Sequence, residues 1–87
     1  MSSRGFSMNG LAMISEGGKM VLAEIPEFVT MWGYSPSVRD IGQALGLSPS
    51  GVWHHLERLA AAGLVTWTPG RSRTIRLTKE GTKAVKL

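Results

Sequence analysis

Two stretches of this sequence hold most of the side chains suited to chemistry. One runs from Ser48 to Arg58 and contains two serines, Trp53, the pair His54-His55, Glu57 and Arg58. The other is residues 71–87, where Arg71, Arg73, Arg76, Lys79, Lys83 and Lys86 stand against Glu80 alone. That segment is strongly basic on a body that is nearly neutral, and the whole chain is +4 at pH 7. Metal binding by the histidine pair is disfavoured. Neighbours on a helix point about 100° apart, and no third ligand sits at a spacing that completes a site. The chain has no cysteine, which removes disulfides, thiolate zinc and cysteine nucleophiles. No serine comes with a base and an orienting acid, and there is neither a glycine-rich phosphate loop nor a nucleophile elbow. A catalytic site, a cofactor and a small-molecule ligand are therefore not expected. The chemistry that remains is recognition of an anionic partner by a basic surface.

The elements that must position these groups are short. With 87 residues there is room for one domain, and 43% apolar residues with a mean hydropathy of +0.02 are ordinary for a globular protein. No run reaches the roughly 18 apolar residues of a membrane span, and no apolar stretch after Arg4 makes a secretory signal. Together with the missing cysteines this points to a cytoplasmic protein. Residues 1–15 have no clear period and read as a flexible arm, with the domain proper at 16–87.

From about Gly18 the pattern turns helical. Val21, Leu22, Ile25, Phe28, Val29 and Trp32 make one apolar face, with Pro26 off the stripe and expected to kink or interrupt it. Gly33-Tyr34-Ser35-Pro36 stops the helix. Ser37 can cap a second helix, with Asp40 three residues on and Val38, Ile41 and Leu45 inside, closed by Gly46. Ser48-Pro49 starts a third helix over about Ser48–Ala62, with Val52, Leu56 and Leu59 as its inward stripe. Leu64–Thr68 and Arg73–Leu77 then read as a hairpin around Pro69-Gly70-Arg71-Ser72, and Thr78 starts a short last helix to Lys86.

Helix, short helix, tight turn, longer helix and basic-tipped hairpin is the order of a winged helix-turn-helix, an α+β and mainly α fold. Its third helix is sized for the major groove of double-stranded DNA. In that frame Ser50, Gly51, Trp53, His54, Glu57 and Arg58 are candidate base contacts. Arg39, Ser48, Arg71, Ser72 and Arg73 are candidate phosphate contacts. Each has a plainer alternative: capping for Ser48, folding back on the wing for Trp53, a solvated ion pair for Glu57 and Arg58. His55, at the edge of the buried stripe, reads as a structural hydrogen-bonder, and Trp32 and Trp67 as packing. A winged helix used as a protein-interaction module is the competing function.

The stretch Gly33-Tyr-Ser-Pro-Ser-Val-Arg-Asp-Ile-Gly-Gln-Ala-Leu-Gly-Leu47 resembles the start of the DNA-binding domain of LexA repressors. His54-His55-Leu56, Gly63, Pro69-Gly-Arg-Ser-Arg73 and Ile75 extend the likeness over about residues 19–77. The resemblance implies operator binding and transcriptional repression, with bases read by residues early in the third helix and the backbone touched by the wing. This sequence departs from the pattern in a Leu47–Val52 stretch one residue shorter and in a tryptophan at position 53. The family's self-cleaving domain has no counterpart in these residues, so peptidase activity is not expected. A dimer only weakly held together off DNA is.

Overall fold

The computed structural model describes residues 14–86. Helix α1 spans Glu16–Trp32, α2 Val38–Leu45 and α3 Pro49–Ala61; strands β1 (Val65–Thr66) and β2 (Arg76–Leu77) follow, then α4 (Lys79–Lys86). Of the expected arm, residues 1–13 lie outside the described part. Ile14 is only 8% exposed and belongs to the core. Ser15 caps α1, its hydroxyl accepting from the Gly18 N–H at 3.1 Å.

Helix α1 runs through Pro26 without a break, where an interruption or kink is the expectation from proline in a helix. Its apolar stripe is buried only in the first half. Val21, Leu22 and Ile25 are at most 3% exposed, but Val29 is 40% and Trp32 57% exposed. The stripe outruns the body it packs on. Its last members instead meet one another, Phe28 lying 6.1 Å from Trp32 and 5.6 Å, edge-on, from Tyr34 between ring centres.

The core joins this first half of α1 to Ile41 of α2, the Val52–Leu56–Leu59 stripe of α3, and Leu64, Val65 and Ile75 around the hairpin. The turn between α2 and α3 is tight because Gly46 takes φ +72°, a left-handed conformation that costs glycine nothing. The Leu47 N–H then donates to the Gly42 carbonyl at 2.9 Å. A Cβ at Gly42 would stand 2.6 Å from the Leu47 carbonyl, so only glycine allows this close return.

The hairpin is smaller than its apolar pattern predicts. Pairing is antiparallel and limited to Val65↔Leu77 and Thr66↔Arg76. The sheet is closed at its base by Thr78, whose N–H donates to Leu64 O and whose hydroxyl donates to Gly63 O. The Thr78 hydroxyl also accepts from the Gly81 N–H at 3.0 Å and so starts α4. No helix among the described residues is long and apolar enough to cross a membrane.

Candidate nucleic-acid interface

The second and third helices begin with the same device and end up differently. At α2, the Ser37 hydroxyl accepts from the Asp40 N–H, and the Asp40 carboxylate accepts from the Ser37 N–H, each at 3.0 Å. Two orphan donors are thereby satisfied reciprocally. At α3, the Ser48 hydroxyl accepts from the Gly51 N–H at 3.2 Å. There the third position is glycine, the first turn has no acid, and Ser48, Pro49 and Ser50 are exposed. That helix start keeps free donors and the positive end of its dipole facing outward.

Along α3 the inward stripe is fully buried, and Trp53, His54, Glu57 and Arg58 face out. Among the described residues neither Glu57 nor Arg58 forms an ion pair; those found are Lys19–Glu16 and Arg73–Asp40. His55 is half-buried, with its Nδ1 buried and unpartnered, so the hydrogen bond expected of it does not form. Its imidazole lies against the first turn of α1, where a Cβ at Gly17 would be 2.8 Å from Nε2. The His54 and His55 rings meet edge-on at 5.5 Å, and no group of three metal-ligating side chains gathers among the described residues. Trp53 is 38% exposed and leans toward the wing, its ring 5.3 Å from that of Trp67 in an edge-on contact.

The wing tip is a tight turn over Thr68–Arg71. The Arg71 N–H donates to Thr68 O at 3.1 Å, with Pro69 leading and Gly70 at φ +80°. These are the residues a type II turn requires. Thr74 braces the turn from behind. Its hydroxyl accepts from the Thr68 N–H at 2.9 Å and donates to Arg71 O at 3.1 Å. With two strand pairs only, this side chain takes over work that ladder hydrogen bonds do in a longer hairpin. Arg71 and Ser72 remain exposed. Between the wing, Trp53 and the start of α2 lies a cleft of about 380 Å³, lined by Ser37, Arg39, Trp67, Arg71 and Ser72 among others.

Arg73, a candidate phosphate contact, is exposed and is also engaged within the chain. Its Nη1 donates to Asp40 Oδ2 at 2.8 Å and to Ser35 O at 3.2 Å, and its guanidinium carbon lies 4.8 Å from the centre of the Tyr34 ring. It reaches them from a left-handed backbone, φ +58°, which costs a residue with a side chain roughly 1–2 kcal/mol. A half-exposed ion pair of this kind returns about 0.2–1 kcal/mol. The Asp40 carboxyl is held below the ordinary carboxylate range chiefly by the Ser37 N–H, which outweighs desolvation, with lesser help from the Ser37 hydroxyl and Arg73. Sequence reasoning found Asp40 only as a cap. Its pairing with a residue 33 positions away had no local signal.

A chain in which a buried three-helix unit presents one exposed helix face beside a braced, basic hairpin is a winged helix-turn-helix domain. The model of the LexA DNA binding domain matches residues 12–74. The chain is 42% identical over 64 residues to the LexA repressor of Lacticaseibacillus casei (strain BL23), covering 72% of this chain and 31% of that protein. It is 44% identical over 66 residues to that of Enterococcus faecalis (strain ATCC 700802 / V583), covering 75% and 32%. With the LexA repressor of Thermosipho africanus (strain TCF52B) it shares 43% identity over 61 residues, 70% of this chain and 31% of the other. The chain belongs to the LexA DNA-binding domain family. It spans about a third of the length of these curated relatives.

Proposed function

We propose that this chain binds operator DNA as the recognition part of a transcriptional repressor and acts by binding alone, without catalysis, in the cytoplasm. The observation that carries the reading is the open start and outward face of α3, set one cleft away from a basic wing tip. Helix α3 enters the major groove. Ser50, Gly51, His54, Glu57 and Arg58 face base edges, with Trp53 at their margin where its ring meets Trp67. Arg39, Ser48, Arg71 and Ser72 hold phosphates, Arg39, Arg71 and Ser72 standing at the cleft between the wing and the start of α2. A domain this small contacts few base pairs, so two copies meet on a palindromic operator and hold each other weakly away from it.

The test is a gel-shift titration with duplex DNA at two salt concentrations. Affinity falls about tenfold or more between 50 and 200 mM salt if several cations meet phosphates. Absence of binding at low salt overturns the proposal and favours a protein partner for the same face. An operator selected from random duplexes settles the dimer: a single, non-palindromic half-site contradicts it.

A further inference from the structure

Arg73 and Arg71 lie two residues apart on the same wing and both are exposed, but of their side chains only that of Arg73 is engaged by others among the described residues. The Arg73 guanidinium is held on three sides by Asp40 Oδ2, the Ser35 carbonyl and the face of Tyr34. All three belong to the start of α2 or the loop before it, so the contact ties the wing across the mouth of the cleft to the helix that braces α3. The wing's other ties to the body are apolar, Trp67 on Trp53 and Val65 and Ile75 in the core, so Arg73 supplies its polar tether. The wing's strands pair at two positions, and Thr74 braces the turn only against the wing itself.

The backbone of Arg73 is left-handed, the only such residue other than glycine among those described. Glycine would take that conformation freely, so the position keeps a side chain at a cost. The ion pair alone returns less than that cost, and with the Ser35 hydrogen bond and the Tyr34 ring contact the two about balance, so the whole set adds little net stability. Strain kept without a stability return points to geometry as what is gained. We infer that Arg73 is a positioning residue. Through Asp40, Ser35 and Tyr34 it sets the wing at the angle and distance from α3 at which Arg71 meets the phosphate backbone, and it makes no phosphate contact of its own.

This inference rests on the DNA-binding reading above, and one set of titrations separates the two. A phosphate contact needs only a positive charge, whereas the clamp needs a planar fork that serves a carboxylate, a carbonyl and a ring face together. Arg73→Lys should therefore fail to restore binding. The Ser37 N–H and Arg73 Nη1 share Asp40 Oδ2, so Asp40→Asn keeps that oxygen and the helix start while removing the charge that holds the guanidinium. It should weaken binding about five- to tenfold, as should Arg73→Gly, which relieves the backbone and is safe for folding. Arg71→Ala combined with Arg73→Gly should be no weaker than the worse single variant, because both remove the same phosphate contact. The logarithmic salt slope of that pair should fall by about one unit, not two.

Three results overturn the clamp while wild-type protein still binds. They are Asp40→Asn binding as well as or better than wild type, Arg73→Lys restoring affinity, or the two arginine variants multiplying in effect. A wild-type protein that binds no duplex at low salt overturns the DNA-binding reading itself, and the clamp's role with it.

Discussion

Helices α2 and α3 both begin with a capping serine, three residues before a residue that decides the fate of the helix start. In α2 that residue is Asp40, whose carboxylate closes the box and also takes Arg73. In α3 it is Gly51, and nothing closes the box. One start is satisfied from within the chain and anchors the wing. The other leaves its donors and dipole for an anion brought from outside. A single side chain at the third helical position thus divides a closed helix start from an open one built on the same motif.

The strongest way to break this contrast is to close the open start. Gly51→Asp places a carboxylate where Asp40 stands in α2. A Cβ there meets the Ser48 hydroxyl at 3.3 Å, a flexible neighbour that can give. Losing a helical glycine and gaining a box should raise stability by about 0.5–1.5 kcal/mol. Duplex binding should fall at least about 100-fold, because a like charge facing phosphate costs several kcal/mol. Melting curves beside gel shifts read both, and binding kept within threefold would show that this start does not face DNA.

One turn further along the exposed face, His54→Ala should leave the melting temperature nearly unchanged. It should relax discrimination at one or two base pairs by about 1–3 kcal/mol, measured over single-base operator variants. A general loss across all sequences would move His54 to the backbone contacts. Smaller still are the caps. Ser37→Ala and Ser48→Ala should each destabilise by about 1 kcal/mol in urea titrations. The Ser37 variant should be the larger, since it breaks a reciprocal pair, and equal losses would deny that the box matters.

The smallest effect is in acid. Asp40 is held below the ordinary carboxylate range when folded. Its stabilising contribution is therefore complete above the unfolded value, near 3.9, and drains away as pH falls through the lower folded value. Asp40→Asn should flatten the acid limb of stability against pH. An unchanged limb would mean that other carboxylates govern it.

Much of this contrast was legible in the chain. Ser37-Val-Arg-Asp40 and Ser48-Pro49 are local signals, with caps, acid and proline at fixed offsets, and they mark both helix starts correctly. Glycine at 46 and the Val52–Leu56–Leu59 stripe set the turn and the buried face in the same local way. Periodicity misled at Val29 and Trp32, because an apolar stripe reports what a helix can bury and not how far its partners extend. The hairpin was drawn too long for the same reason: apolar runs do not reveal that Thr74 replaces ladder pairs with a side-chain brace. The sequence marks Arg73 as a phosphate contact but gives no sign of its pairing with Asp40, because only the finished fold brings the two together. The open face of α3 followed from helical spacing, but which base each residue meets depends on a partner that spacing does not describe.

The contact between His55 and the first turn of α1 has a consequence for how such a protein changes over generations. A methyl group at position 17 would stand 2.8 Å from the His55 imidazole, so the ring must shift to admit one. A substitution at either position is therefore filtered by the other, although 38 residues separate them in sequence. The His55 ring also meets that of His54 edge-on at 5.5 Å, so a replacement at 55 removes a neighbour of one side chain on the outer face of α3. Residues 17 and 55 are therefore expected to vary together among relatives, a larger residue at one being matched by a smaller one at the other.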